Sequence, residues 1–285
     1  MPQTSGQEQT QCNREMTDKI IIVTGGASGF GREAALLFTK AGGKVIIWDI
    51  DEKKGNEVVS LMKENGGEAR FSRVDVSSGE DVKKGAAEVE KLYGKVDILV
   101  NNAGTHQYTI GTIVEISEED YDRVMDTNTK SVFLCSKYVI PLMRKAGGGA
   151  IVNVASAWGH FASNKVPIYC TSKAAVEHIT RVMALDFAND KIRVNCVCPG
   201  TCRTPLVEKL VNTNHLKFGF NKPEEMWESR VESHPLGRLG TPRDIANLMI
   251  FLASEDSSWM TGSVITIDGG YTAGRSFIGK PKKAA

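Results

Sequence analysis

The segment YCTSK places a phenol, Tyr169, and an ammonium, Lys173, four residues apart. On a helix, residues i and i+4 share one face about a turn apart, so both side chains can reach into one space. A free phenol ionises at about pH 10, too high for a base at neutral pH, but a cation held a turn away favours the phenolate and lowers that value. Ser156, thirteen residues before Tyr169, ends the apolar run IVNVAS. A hydroxyl there can donate to a substrate oxygen and stabilise developing alkoxide charge. Together the three describe proton transfer at an alcohol or ketone. Alone, a Tyr-x-x-x-Lys pair is an ordinary feature of wet helix faces, so the surrounding chain decides.

A nucleotide site lies upstream. TGGASGFG follows the apolar run IIIVTG and opens an amphipathic segment, AALLFTKAG. Gly25, Gly29 and Gly31 let the backbone turn tightly and approach a pyrophosphate, whose charge meets the free amides and positive dipole of a helix start. Ser28 and Phe30 belong to the same turn. Asp49, eighteen residues beyond Gly31, ends the second run, KVIIWD. A carboxylate there accepts hydrogen bonds from the adenosine ribose hydroxyls and repels a 2′-phosphate, and Trp48, Ile50 and Asp51 supply no arginine to neutralise one. NAD is therefore expected over NADP. Lys53 and Lys54 argue the other way, but they fall on the following helix and should face water. Asp75 and Val76 end the third run, at the expected adenine rim. Ligands in open parallel sheets bind beside the carboxyl ends of the strands, the edge that Ser156 shares.

These groups need a sheet to hold them. From Lys19 onward short apolar runs alternate with helical patterns over about 29–42, 52–65, 80–93, 118–145, 168–188 and 242–253, the last opened by Thr241 as cap and Pro242 in its first turn. Strands buried on both faces between amphipathic helices predict an α/β protein, a doubly wound fold with a seven-stranded parallel sheet in a single domain over 17–272. Residues 1–16 are expected to be an extension or disordered, and 273–285 a solvated tail. The stretch over about 205–235 breaks the alternation and is expected to form a substrate lid.

With 285 residues, 41% of them apolar and 24% charged, the chain can bury a proper core, and a formal charge of +1 gives no reason to expect nucleic acid. No apolar run is long enough to span a membrane, and residues 1–16 lack a secretory apolar core. The six cysteines read as reduced thiols. A cytoplasmic location is expected. Cys196, Cys198 and Cys202 match no usual zinc spacing, so no metal is expected.

In these motifs the chain resembles the short-chain dehydrogenase/reductase family over roughly residues 17–272: TGGASGFG, NNAG at Asn101 to Gly104, Asn128 in DTNTKS, Ser156, YCTSK, CPGTCRT and DGG stand in the family's order. The resemblance implies a Rossmann fold and a catalytic tetrad of Asn128, Ser156, Tyr169 and Lys173. In it Tyr169 is the general base in alcohol oxidation and the general acid in ketone reduction. Lys173 also binds the nicotinamide ribose, and Asn128 holds a helix kink and a water that links Lys173 to solvent. Pro199, Gly200 and Thr204 would contact the nicotinamide end, while Asn102, Ala103 and Gly104 would steady the sheet beside the adenine. It also implies a homotetramer, with the helices over 118–145 and 168–188 paired across subunits through residues such as Val132, Leu134, Val139, Ile179, Val182 and Met183. Where the family commonly has a serine before the catalytic one, this chain has Ala155.

The implied reaction moves hydride between nicotinamide and a secondary alcohol or ketone. Four cationic or proton-donating side chains fall on segments expected to surround the pocket: His106 after NNAG, His160 and Lys165 between Ser156 and Tyr169, and Arg203 beside the nicotinamide motif. They point to a small polar or anionic hydroxy compound, and Trp158 would narrow its pocket. Leu206, Leu210, Phe218, Phe220 and Trp227 on the lid favour the alternatives, a bulky steroid-like alcohol or a 3-oxoacyl group. A non-catalytic NAD sensor would be expected to lack the Tyr or the Lys. An extended epimerase or dehydratase would need more than the 112 residues that follow Lys173.

Overall fold

The structure, a computed structural model, describes residues 14–274. Strands β1 (Ile20–Thr24), β2 (Lys44–Asp49), β3 (Ala69–Arg73), β4 (Ile98–Asn101), β5 (Gly149–Val154), β6 (Ile192–Pro199) and β7 (Val264–Ile267) form one seven-stranded sheet in the order β3-β2-β1-β4-β5-β6-β7. Every pairing is parallel. The helices are α1 (Gly29–Lys40), α2 (Glu52–Glu64), α3 (Gly79–Tyr93), α4 (Glu118–Met125), α5 (Ser131–Ala146), α6 (Pro167–Asp186), α7 (Pro205–Asn214), α8 (Pro223–Glu232) and α9 (Pro242–Ala253). This is a doubly wound Rossmann fold.

Alternation along the strands builds both core layers. Ile21, Val23, Val45 and Ile47 point to one face, with Phe38 of α1 and Met249 of α9. Ile20, Ile22, Ile46 and Trp48 point to the other, with Val82 of α3, Val139 of α5 and Met183 of α6. A strand buried on both faces needs apolar residues at every position, which is why these runs are continuous rather than alternating. The chain leaves β1 towards β2 on one side and returns after β3 to β4 on the other. The loops after β1 and β4 therefore diverge and open a crevice at the strand ends.

Three expectations change. The pattern over 118–145 is not one helix: a π-helical turn, Asp126–Lys130, separates α4 from α5. Periodicity cannot register one extra residue in a turn, so the pattern reads through it. The packed chain also begins before residue 17. Met16 is buried and donates its N–H to Ala41 O at 2.8 Å, and Arg14 lies against Asp256 and the Phe251 ring. The rest of the expected extension and most of the tail lie outside the described residues. Finally, Val132, Leu134, Val139 and Met183 are spent inside the chain's own core. The apolar side chains that α5 and α6 leave exposed are Phe133, Val182 and Leu185.

Residues 205–235 form α7 and α8, joined through a short 3-10 turn at His215–Phe218. Thr204 caps α7 by accepting from the Val207 N–H, and Thr241 and Asp244 cap α9 reciprocally around Pro242.

Candidate active site

The crevice is a groove of ≈ 520 Å³ along the carboxyl ends of the strands. Gly25, Ser28, Gly29, Phe30, Asp49, Asp75, Val76, Asn102, Ala103, Gly104, Tyr169, Lys173 and Thr204 all line it, as expected from sequence. Gly31 lies beneath the lining. A Cβ there would sit 2.2 Å from the Gly25 carbonyl oxygen, so only glycine lets α1 start this close to the turn. Gly25 itself needs a positive φ of 64°. Asn102 stitches the two sides of the crevice, its Nδ2 donating to Thr24 O at 2.9 Å and Gly25 O at 3.2 Å.

These residues fit a dinucleotide. Ser28 makes no side-chain capping bond at the start of α1, which leaves the first-turn amides for an anion. Among the described residues the Asp49 carboxylate accepts only the Ala27 and Asp51 N–H groups, one on each oxygen, and so keeps acceptor capacity for ribose hydroxyls. Lys54 is held by Asp51 at 2.8 Å, while Arg73, the register partner of Asp49 on β3, is exposed and does not line the groove. Asp75 accepts from the N–H and hydroxyl of Ser77.

Where the groove meets a smaller recess of ≈ 70 Å³, α6 delivers Tyr169 and Lys173 from one face and the end of β5 delivers Ser156. The Lys173 ammonium donates to Val154 O at 3.0 Å and lies 5.8 Å from the Tyr169 ring centre. Burial pushes Lys173 down to about 8, since no carboxylate offsets the loss of water. Burial also pushes the Tyr169 phenol up to about 12, against the opposing pull of the Ser156 hydroxyl. The expected lowering of the phenol by Lys173 is therefore absent: desolvation dominates, and the Lys173 cation lies 5.8 Å from the ring centre. Asn128 is buried, accepts the Thr105 N–H at 2.7 Å, and donates to Thr105 O and to Ser172 Oγ, each at 3.0 Å. The helix kink is the π-helical turn that carries it.

The recess brings together Ser156, Tyr169, Pro199, Gly200, His106 and Trp158, with Thr201, Arg230 and Tyr271. His106 stacks on Tyr169 with ring centres 4.4 Å apart, and Trp158 meets Tyr169 edge-on at 6.1 Å. Three other substrate candidates are elsewhere. His160 is engaged by Glu177 at 3.0 Å and by Thr266 at 3.2 Å, because the 3-10 turn at Ala157–Gly159 turns it under α6. Lys165 donates to Lys217 O, and Arg203 lies over the half-buried Trp227 ring and near Glu208. Nor is His106 a cation: burial pushes it down to about 4. Sequence reasoning missed Arg230, Thr201 and Tyr271. The available signal for Arg230 was its place one turn after Met226, the buried residue of α8.

Residues 25–272 match the family described as Enoyl-(Acyl carrier protein) reductase. An oxidoreductase of Thermotoga maritima is 42% identical over 255 residues, spanning 90% of this chain and 98% of its own. Cyclohexanol dehydrogenase of Acinetobacter sp. is 33% identical over 261 residues, covering 92% and 98%. The crystal structure of a short-chain type dehydrogenase/reductase from Mycobacterium marinum superposes with a TM-score of 0.83 at 36% identity, covering 92% of this chain and 98% of that one. The chain belongs to the short-chain dehydrogenase/reductase superfamily, and it is an NAD(P)-dependent oxidoreductase. No helix among the described residues is long and apolar enough to cross a membrane.

The buried state of His106 makes a pH prediction. The folded chain holds the ring neutral down to about 4, whereas an exposed ring protonates around its ordinary 6.5. The unfolded chain binds the extra proton in between, so this contribution is complete above 6.5 and is lost as pH falls towards 4, with a ceiling of about 3 kcal/mol. In thermal melts of the wild type and H106N, the stability difference should shift against the wild type on acidification from about pH 7 to about pH 4. Parallel curves would show that His106 is not buried neutral.

Proposed function

We propose that the protein is an NAD-dependent dehydrogenase acting on a small polar secondary alcohol or the corresponding ketone. The observation that carries this reading is the meeting of Ser156, Tyr169 and Lys173 where a dinucleotide-sized groove opens into a small recess. The bound cofactor supplies a hydride acceptor or donor at its nicotinamide. Ser156 holds the substrate oxygen by hydrogen bonding. Tyr169 removes the hydroxyl proton in oxidation and returns one in reduction. Lys173, buried beside Val154 O, holds the nicotinamide ribose and supplies positive charge when the phenol ionises. Asn128 fixes the turn that sets both. The volume of ≈ 70 Å³ and the aromatic walls favour a small substrate over a steroid-sized one.

Tyr169→Phe should leave NAD binding within a few-fold by calorimetry while lowering turnover by about 10²- to 10⁴-fold. Oxidation by the wild type should accelerate as pH rises, because the phenolate is the reactive form and burial pushes the Tyr169 phenol up to about 12. A variant that keeps most of its activity, or a flat alkaline profile, rules out this assignment.

Asp49 supports NAD over NADP. The carboxylate faces the groove without a paired cation, and Ile50 beside it is 61% exposed and lines the same groove. D49A combined with I50R should narrow the ratio of kcat/KM for NAD over NADP by roughly 10- to 100-fold, the worth of exchanging repulsion for a charge-assisted bond. Equal use of both cofactors by the wild type would defeat the charge argument.

The exposed Phe133, Val182 and Leu185 on α5 and α6 support a homotetramer built through these helices. The five described cysteines are all free thiols, in keeping with a cytoplasmic enzyme. Light scattering should give four times the 31.0 kDa chain mass, and a monomer would dispose of the pairing.

A further inference from the structure

Arg230 is the least satisfied ionic group in the recess. Met226 and Arg230 stand one turn apart on α8, and Met226 is buried, so the same helix face carries the guanidinium inward to line the recess beside Tyr169. Of its five N–H donors, the guanidinium uses one on a side chain, Nη1 to Thr201 Oγ1 at 3.2 Å. Its Nε is enclosed and without a partner. The titratable groups that face it are the phenols of Tyr169 and Tyr271 and the neutral His106 ring, the Trp158 ring lies 5.8 Å away, and no carboxylate among the described residues forms an ion pair with it. Two other half-buried arginines are better answered. Arg123 pairs with Asp120 at 2.6 Å, and Arg193 donates to the carbonyls of Leu252, Ser254 and Met260.

A guanidinium cannot shed its charge at physiological pH, so an enclosed one without a counterion makes the recess a standing anion site. Its flat fork fits the two oxygens of a carboxylate. A second unmet group faces the same space. The hydrogen bond of His106 Nδ1 to Gln107 O places the ring proton on Nδ1, and Nε2 is left buried, unpartnered and an acceptor.

We propose that Arg230 binds a carboxylate of the substrate, so that the enzyme acts on a small hydroxy acid and its oxo acid, with His106 Nε2 accepting from a further hydroxyl where one is present. This rests on the dehydrogenase reading of the site and narrows its substrate class. The oxidation removes hydride from the carbinol carbon to NAD and the hydroxyl proton to Tyr169, giving the oxo acid, NADH and one proton. The carboxylate is unchanged.

The test compares kcat/KM with NAD for short secondary hydroxy acids, their methyl esters, matched hydroxy sulfonates and the unsubstituted alcohols, in the wild type, R230K and R230Q. The acid should exceed its ester in the wild type. In R230Q that selectivity ratio should collapse by on the order of 10²- to 10³-fold, mostly through KM, with R230K recovering part of it. A merely structural arginine would lower acid and ester together, and that result overturns the proposal, as does a wild type that prefers esters or neutral alcohols. A sulfonate used as well as the carboxylate would assign the site to anions in general and overturn the carboxylate commitment. Calorimetry with a short unreactive carboxylate, on the Tyr169→Phe enzyme saturated with NAD, reads binding without turnover. Binding lost with R230Q supports the site even if the dehydrogenase reading fails. Turnover of neutral alcohols without carboxylate binding sinks the arginine alone.

Discussion

The side chain of Asn128 is the contact on which the site's geometry depends. It is 1% exposed and uses its oxygen and both of its donors, on the N–H and C=O of Thr105 and on the Ser172 hydroxyl. Three segments distant in sequence are thus fixed to one amide: the loop after β4, the turn between α4 and α5, and the first turns of α6. A regular helix through 118–145 would carry residue 128 to a different angle, and the π-helical turn, reinforced by Thr129 Oγ1 to Ser172 O at 3.1 Å, aims it. A buried amide without partners costs on the order of 1–3 kcal/mol, so the irregular turn and the satisfied side chain stabilise each other. One layer deeper, Asn101 donates to Asn153 and Asn153 to Thr180, each at 2.9 Å, which sets the height of α6 against β4 and β5. The positions of Tyr169 and Lys173 follow from these bonds more than from apolar packing, which has no preferred register.

The charged groups around this framework divide sharply. Glu177 is buried but answered by His160, with the Cys198 thiol beside it, and Asp120 is answered by Arg123 and two backbone amides. Lys173 and Arg230 are enclosed without carboxylates. Lys173 lines the groove and Arg230 the recess, and both are pushed towards their neutral forms by lost water. Tyr169 stands between them and is pushed the same way, towards its uncharged phenol. With Lys173 and Arg230 both lacking a carboxylate partner among the described residues, the site is electropositive and underneutralised, and an anionic group beside them lowers its energy.

The fold was legible because its signals are repetitive. Continuous apolar runs, helical periodicity and a glycine turn between them specify strand, helix and switch point, and small errors at element ends change nothing. The groove residues were legible too, since most contribute backbone or sit at a strand end whose direction the sheet imposes. The substrate side was not. His160 and Lys165 lie near Ser156 and Tyr169 in sequence, yet a single 3-10 turn and a left-handed residue at Lys165, with φ 61°, send both elsewhere. Arg203 borders the nicotinamide motif but leans on Trp227, whereas Arg230 reaches the recess from a helix that no motif marks. Proximity in sequence to a catalytic residue says little about direction once the chain has turned. The phenol's pKa failed for a related reason, because pairing by i and i+4 fixes a face but not how much water burial removes.

The groove is written in glycines, backbone amides and residues at strand ends, so altering it disturbs the sheet itself. The recess is closed by α7, α8 and the turn carrying Tyr271, which rest on the sheet without entering it. Side chains there can change with little cost to the core. An unpaired arginine on such an element is costly to folding and contributes nothing to the sheet. A bound anion would offset that cost, so the proposed role of Arg230 lies at the ligand rather than at the fold.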